Sequence, residues 1–428
     1  MELPLESLHP SLASPVLGAI PFLNEVMSRY PDAISFAPGA PHTRYVAETD
    51  LERSVVRWLT HARGAWGLSE DGARQLLYEY GPTAGLINDL IADALCAALG
   101  TKTTPDDVVV TVGAQEAFLI TLRALFRSPG DLLAVVNPSF VGIMGAAELL
   151  GIEMVPVDEG ESGVDVDRLD AECDAAEATG RRIRALYVAP DHSNPSGTVM
   201  PREARHRLVD LAARRELLLI EDNAYGFTTA PGAELPTLKS LAPQRVLFIG
   251  TFAKLCLPGT RVGFVVAGQR VRSDDGAEHR LAADLAAVKS MVTVNTSPIC
   301  QAVVGGMLLE HGGSFAALGQ RKSELYRQNL QLLLGALDEH LSHGPGHSPK
   351  VVWNRPQGGF FVRMRLPVSA NESLLKESAS RYGVLWTPMS PFYLGGRGRN
   401  EIRLSCSYLD AEEIEEGTHR LARFIGSI

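Results

Sequence analysis

Lysine is scarce in this chain. Lys102, Lys239, Lys254, Lys289, Lys322, Lys350 and Lys376 are the only seven among 40 basic residues, so the positive surface is built of arginine. Most of the seven read as solvated surface. Lys254 differs, because the apolar run "RVLFIG" leads towards it and a Pro-Gly break follows, which puts it on a turn between two strand-like segments. Cysteine is also sparse. Cys96, Cys173, Cys256, Cys300 and Cys406 are odd in number and scattered, with no CxxC or Cys/His metal spacing; this excludes a disulfide framework or a zinc site and predicts a cytoplasmic setting. Basic charge is in deficit, 40 residues against 50 acidic ones, which argues against a nucleic-acid surface. No apolar run approaches about 20 residues, so no membrane span is expected. The opening "MELPLESLHPSLASP" lacks the basic and apolar regions of an export signal.

What is present is an ordinary globular composition, 45% hydrophobic and 21% charged, long enough for two domains. From about Tyr80 to Gly268, short aliphatic runs alternate with helical patterns. Strands are predicted at Val108 to Val112, Leu132 to Val136, Ala185 to Ala189, Leu217 to Ile220, Val246 to Ile249 and Val262 to Val266. Several are continuously apolar, as burial on both faces of a mainly parallel sheet requires. "AQEAFLITLRALF" and "PREARHRLVDLAARR" read as helices between them. After about Gly312 the pattern changes. A long amphipathic helix, "LGQRKSELYRQNLQLLLGALDEHL", ends at the Gly/Pro/His-rich "SHGPGHSP"; strand-like "GGFFVRMRLP" and "EIRLSCSY" follow, with a helical stretch between them. The fold class expected is α/β: a large domain with a mainly parallel sheet between helices, plus a smaller α+β domain made of the N-terminal segment and the C-terminal third. The boundaries expected are 1–46, 47–311 and 312–428.

Ligands in open α/β sheets bind at the ends of strands. Four such ends carry suggestive groups. Gly113, Ala114 and Gln115 open a helix whose free N–H groups can hold a phosphate. Asn194 lies in "APDHSNPSG". Asp222 ends the strand that runs into "EDNAYG", with Tyr225 three residues on. Thr251, Lys254 and Arg261 collect a hydroxyl, an amine and a guanidinium on one loop. Each feature alone is commonly a turn or a helix cap. Together they match the needs of pyridoxal phosphate: an amine for its aldehyde, a carboxylate for its ring nitrogen, donors for its phenolic oxygen and a cup for its phosphate.

The chain also resembles the fold-type I pyridoxal-phosphate enzymes, in particular the class I/II aminotransferases, over nearly its whole length. "YEYGPTAGLINDLIADAL" is similar to that family's "YGPxxGxxxLRxAIA", "APDHSNPSGTVM" to "PxxQNPTGxxM", "EDNAYG" to "DxxY" and "GTFAKLCLPGTRVGF" to "GSFSKxxxPGxRxGY". "PQGGFFVRMRLP" and "NEIRLSCSY" are similar to "PxGGxFxWxxL" and "xxxRLSFS". Six degenerate motifs in the right order are highly specific. The resemblance implies that Lys254 is the Schiff-base lysine and that Asp222 pairs with the pyridine nitrogen. Tyr225 and Asn194 would bind the phenolic oxygen, Phe140 would stack on the ring, and Gly113, Ala114, Gln115, Thr251 and Arg261 would form the phosphate cup. Tyr80 would reach the phosphate of a neighbouring subunit, making the active unit a homodimer. Arg403 would clamp the substrate carboxylate with Asn194, and the stretch around Gly39 would fold over the substrate. Departures from the family's pattern at Ser193, Met389, Pro391, Pro38 and His42 fall near the substrate side, and Ala253 stands where a second serine is common.

The activity implied is amino-group transfer from an L-amino acid to a 2-oxo acid. A lyase, cyclase or oxidase on the same fold, acting on S-adenosylmethionine or a similar amino acid, is the alternative. An effector-sensing regulatory domain ranks below both, since no basic recognition helix precedes Tyr80. Among smaller signals, His192 is expected in a supporting or solvent role, Arg44 on the surface, and Trp386 as the tryptophan lining a pocket.

Overall fold

The computed structural model describes residues 2–342 and 351–428, without the side chains of Ala19, Ile20 and Leu23. The break predicted at "SHGPGHSP" falls almost wholly at 343–350, outside the described residues.

Eight strands form the large sheet: β1 (Val108–Thr111), β2 (Asp131–Asn137), β3 (Met154–Gly160), β4 (Gly163–Val164), β5 (Arg182–Val188), β6 (Leu218–Asp222), β7 (Val246–Thr251) and β8 (Gly263–Val266). Their order is β1-β8-β7-β6-β5-β2-β3-β4. The β7/β6, β6/β5, β5/β2 and β2/β3 pairs are parallel, while β8 runs antiparallel to both β1 and β7. All six predicted strands are therefore present. Their continuous apolar runs have the cause expected of them. In β2, Leu133 and Val135 enter the core on one face of the sheet, while Leu132, Ala134 and Val136 enter the core on the other.

The sequence reading missed β3. That strand contains Pro156 and charged Asp158 and Glu159, and Val157 is its one apolar residue to be fully buried, although the Glu159 side chain is buried too. It lies towards the sheet edge beside two-residue β4, where proline and charge are tolerated and the apolar signal is weak.

A second, antiparallel sheet has the order β9 (Val352–Trp353), β10 (Phe361–Arg365), β12 (Glu401–Ser405), β11 (Thr387–Pro388). In β10 and β12, Val362, Met364, Ile402 and Leu404 face a core shared with helices α3 (Phe315–Leu337) and α4 (Ala411–Ile425). The alternate residues, including Phe361, Arg363 and Arg403, face the large sheet's lobe. The N-terminal segment, which contains helix α1 (Pro15–Arg29), joins this smaller lobe, since Ile34–Ser35 pairs in parallel with Val384–Leu385. Helix α3 bridges the two lobes. Leu318 packs in the core of the large lobe, and Leu330, Leu333, Leu334 and Leu337, at helical spacing, pack in that of the small one. Trp386 does not line a pocket. It is fully buried in the small lobe's core, its indole N–H donating to Ser378 Oγ at 3.1 Å, because the residues flanking it pair with neighbouring strands and turn it inward.

Candidate active site

The parallel strands β5, β6 and β7 and the first strand β1 deliver the predicted residues to one end of the sheet. Asp222 is the last residue of β6 and is buried. The Tyr187 hydroxyl donates to its Oδ2 at 2.6 Å, whereas Oδ1 is buried without a partner. Burial pushes the carboxyl pKa up to about 6, against the Tyr187 hydrogen bond and the nearby Lys254 charge. Tyr187 lay outside the sequence reading. The available signal was a tyrosine inside a strand buried on both faces, where a hydroxyl has to find an acceptor.

Lys254 lies on the single helical turn Phe252–Leu255, which Thr251 caps by accepting from the Ala253 N–H at 3.2 Å. The Lys254 amine donates to the Gly39 carbonyl, 215 residues away. Burial first, then the cations of Arg403 and Arg261, lower its pKa to about 8, with Asp222 opposing them. Gly39 itself is closely packed, since a Cβ there would lie 2.7 Å from Phe361 Cζ. The expectation that most other lysines are solvated fails for three of them. Lys239, Lys289 and Lys322 are all buried. Lys322 lies on α3 and donates to the carbonyls of Leu255 at 2.6 Å and Cys256 at 2.8 Å, so it fixes the turn that carries Lys254. Its role is legible only once α3 is packed beneath that turn.

Gly113 opens helix α2 (Gly113–Leu125) with a φ of 72°, and a Cβ there would lie 2.3 Å from Arg261 Nη2. The guanidinium therefore lies flat against bare backbone at a helix N-terminus. Gly263 allows the second close approach, because its Cβ would meet the Gly113 carbonyl carbon at 2.7 Å and the Ala114 nitrogen at 2.8 Å. Arg261 holds a left-handed backbone, φ 50°, a conformation that costs a non-glycine residue roughly 1 kcal/mol and aims its side chain back at the helix start. Gln115 donates to the Gly142 carbonyl at 3.0 Å. Phe140 packs at a tilt against Phe118, ring centroids 6.2 Å apart, and Phe118 in turn meets Tyr187 edge-on.

On the facing lobe, Arg403 is buried in β12. Its Nη1 donates to Asn194 Oδ1 at 2.7 Å and its Nη2 to the Ala37 carbonyl at 2.9 Å. The guanidinium lies 4.2 Å from the Phe361 ring centroid and 5.2 Å from that of Phe392, and burial lowers its pKa to about 10. Nε of Arg403 is buried without a partner. Tyr225 lies against Phe360 and Phe361, its phenol pushed upward in pKa by burial, with the Asn194 amide beside it. Sequence reasoning had not picked out Phe361, Phe392 or Thr387 as neighbours of Arg403. His192 is buried one turn of loop away and shares a 2.9 Å hydrogen bond with Thr229 Oγ1, which fits a supporting role; Arg44 is exposed. Tyr80 stands apart. It is 85% exposed and touches none of these groups.

An amine, a carboxylate with one free buried oxygen, and a guanidinium laid on a glycine helix start thus converge from three strand ends. Asp222 Oδ1 is where a protonated ring nitrogen fits, and the Gly113 cradle is where a phosphate fits, so the residues suit pyridoxal phosphate. Comparison with known proteins narrows that class. The pattern described as "Aminotransferase class I and II" matches residues 63–421. The chain belongs to this family of pyridoxal-phosphate-dependent transferases, and it is an aminotransferase acting on amino acids. It is 42% identical to the (S)-3,5-dihydroxyphenylglycine transaminase of Amycolatopsis orientalis over 426 residues, 99% of this chain and 95% of that one. It is 31% identical to the 2-aminoadipate transaminase of Thermus thermophilus, over 93% and 91% of the two chains. Among solved structures, the α-aminoadipate aminotransferase LysN of Thermus thermophilus, complexed with N-(5'-phosphopyridoxyl)-L-leucine, is similar at 28% identity and a TM-score of 0.76, covering 97% of both chains. Among the described residues, no helix is long and apolar enough to cross a membrane and no cluster of ligating side chains could hold a metal.

Proposed function

We propose that this aminotransferase exchanges the amino group of an amino acid bearing an aryl group, of the arylglycine type, with a 2-oxo acid. The observation that carries the substrate class is the 42% identity, over nearly all of both chains, to a transaminase named for dihydroxyphenylglycine. The aromatic walls formed by Tyr225, Phe361 and Phe392 beside Arg403 accord with a flat apolar side chain.

Arg403, with Asn194, binds the substrate α-carboxylate, and the backbone around Gly39 flanks it. Lys254 would hold the cofactor through its amine, and that amine, when free, moves the proton at the substrate Cα. Its lowered pKa leaves a large fraction of the amine neutral near pH 8, as a base requires. When bound, pyridoxal phosphate supplies the electron-withdrawing ring that makes the Cα–H acidic. Asp222 keeps the proton on the ring nitrogen, steadied by Tyr187. Tyr225 and Asn194 would donate to the cofactor's phenolic oxygen, and Phe140 would cover its ring. Gly113, Ala114, Gln115, Thr251 and Arg261 hold the phosphate, joined by Tyr80 of a second copy.

The active unit is a homodimer. Tyr78, Tyr80, Met291, Val294 and Ile299 are all exposed, Met291 to 85%, an apolar surface of the kind that marks an interface. We assign residues 1–46 and 312–428 to one domain and 47–311 to the cofactor-holding one, supported by the pairing of Ile34–Ser35 with Val384–Leu385. Five unpaired cysteines accord with a reducing cytoplasm.

The test is to offer the holoenzyme phenylglycines, aromatic amino acids and 2-aminoadipate with a common 2-oxo acid and to measure products by mass spectrometry. An arylglycine should be preferred in kcat/KM by at least about tenfold, the scale on which a shaped apolar pocket discriminates. Preference for 2-aminoadipate would overturn the assignment.

A further inference from the structure

We infer that Glu159 and Arg363 form a latch between the two lobes, which sets the position of the Asn194–Arg403 carboxylate clamp. The inference rests on the clamp role proposed for Arg403. Arg363 on β10 is directly opposite Arg403 on β12, so both side chains leave the same face of the small sheet. Arg403 reaches across the crevice to Asn194. Two residues beyond Asn194, the same loop is held from both sides. Ser196 Oγ donates to Glu159 Oε1 at 2.9 Å, which ties the loop to β3 of the large sheet. The Ser196 carbonyl accepts from Asn354 Nδ2, and Asn354 Oδ1 accepts from the Arg363 N–H at 2.8 Å, which ties it to β10. Gly197 lies directly on β10, where a Cβ would meet the Phe361 carbonyl oxygen at 2.5 Å.

One contact in this arrangement is incomplete. The Glu159 side chain is 2% exposed, yet its Oε2 has no hydrogen-bond partner, and the facing cation, Arg363 Nη1, is 3.9 Å away. A charge-assisted N–H···O bond spans about 2.8 Å, so a movement of about 1 Å by the Arg363 guanidinium would complete it. Because Arg363 and Arg403 are register partners on β10 and β12, the completed contact holds the same face of the small sheet that presents Arg403 to Asn194. An occupied clamp and a closed latch therefore favour each other, as linkage requires. The charges and polar groups facing Glu159 are Arg363 and Glu401 from the small sheet and Ser196 and Thr198 from the loop; Glu401 is in turn bonded by the Tyr393 hydroxyl at 2.6 Å. Burial raises the Glu159 pKa to about 7, so the latch carries its charge above that pH and loses it below.

The test compares Glu159→Gln, Arg363→Met and the double variant as holoenzymes. Each single change should raise KM for both amino acid and 2-oxo acid about tenfold, the worth of a charged hydrogen bond, with kcat changed less than about twofold. The double variant should be no worse than either single one. The native KM should rise as pH falls through about 7, and this limb should be missing in Glu159→Gln. Calorimetric binding of an unreactive aryl 2-hydroxy acid should weaken in parallel, with cofactor affinity unchanged. Additive losses in the double variant, or a KM and acid limb left as in the native enzyme, would overturn the latch. If Arg403→Met sharply raises KM while both latch variants leave it unchanged, the latch alone fails; if Arg403→Met also leaves it unchanged, the clamp and the latch both fail.

Discussion

At the scale of single residues, the chemistry depends on how burial treats charge. Asp222 and Lys254 are displaced in opposite directions, the acid up to about 6 and the amine down to about 8, because low-dielectric surroundings disfavour whichever form is charged. For Asp222 this has a sign that can be tested. A carboxyl whose folded pKa is raised favours the protonated folded state. Its contribution to the stability of the cofactor-free protein is thus complete below the ordinary value near 4 and is lost as pH rises through about 6. Cofactor binding has the opposite trend, since only the carboxylate can hold a protonated ring nitrogen. Affinity for pyridoxal phosphate, measured by equilibrium dialysis, should fall as pH drops from 8 towards 5. In Asp222→Asn it should be weaker and flat across that window, and turnover should fall by about 100-fold or more, as when a single preorganised charge partner is removed. A native-like rate in that variant would contradict the role given to Asp222.

Among the elements, the proposed phosphate cup depends on backbone touching backbone. The N-terminus of α2 and the start of β8 approach so closely at Gly113 and Gly263 that neither tolerates a side chain. Gly263→Ala would force a methyl to within 3 Å of the backbone that supplies the phosphate's N–H donors. The expected result is a loss of cofactor affinity of about tenfold or more, equivalent to losing one hydrogen bond to an ionised group. The Lys254 turn, which belongs to a different element, should remain in place, so that borohydride reduction of saturated enzyme still labels Lys254. Unchanged affinity would mean that the helix start is not the phosphate site. The turn bearing Lys254 has its own support in α3, where Lys322 caps two of the carbonyls at the end of so short a helix.

For the whole molecule, the exposed Tyr80 is the feature one chain does not account for. A tyrosine with 85% of its surface in water, next to other exposed apolar side chains, contributes little to the packing of its own chain. Mixed dimers test where it acts. Lys254→Ala chains lack the essential amine, and Tyr80→Ala chains should bind cofactor too weakly to work when cofactor is limiting. On co-expression, the proposed homodimer would include mixed pairs in which one site holds both defects and the other holds neither. Activity should then return at a cofactor concentration where both homodimers are silent. If no activity returns, or if the enzyme sediments as a fully active monomer, the sites are not shared.

What the sequence determined by itself was the family and the order of the candidate groups along the chain. Lys254, Asp222, Tyr225 and the Gly113 helix start are legible because each is fixed by a short local motif at a strand end, and the strands are legible because burial on both faces leaves continuous apolar runs. Other features were decided only by tertiary structure. Lys322 and Leu255 are 67 residues apart and Arg403 and Asn194 are 209 apart, so whether a lysine caps a carbonyl or an arginine meets an amide depends on which remote segments the fold brings together. The same cause hid β3, whose charged residues look like a loop until Glu159 is seen buried against Ser196, and it turned Trp386 from a pocket into the core. Residue type sets which proton or charge a group can carry. The dielectric and the partners around that group, which set its pKa and its position, come from the packing of distant segments.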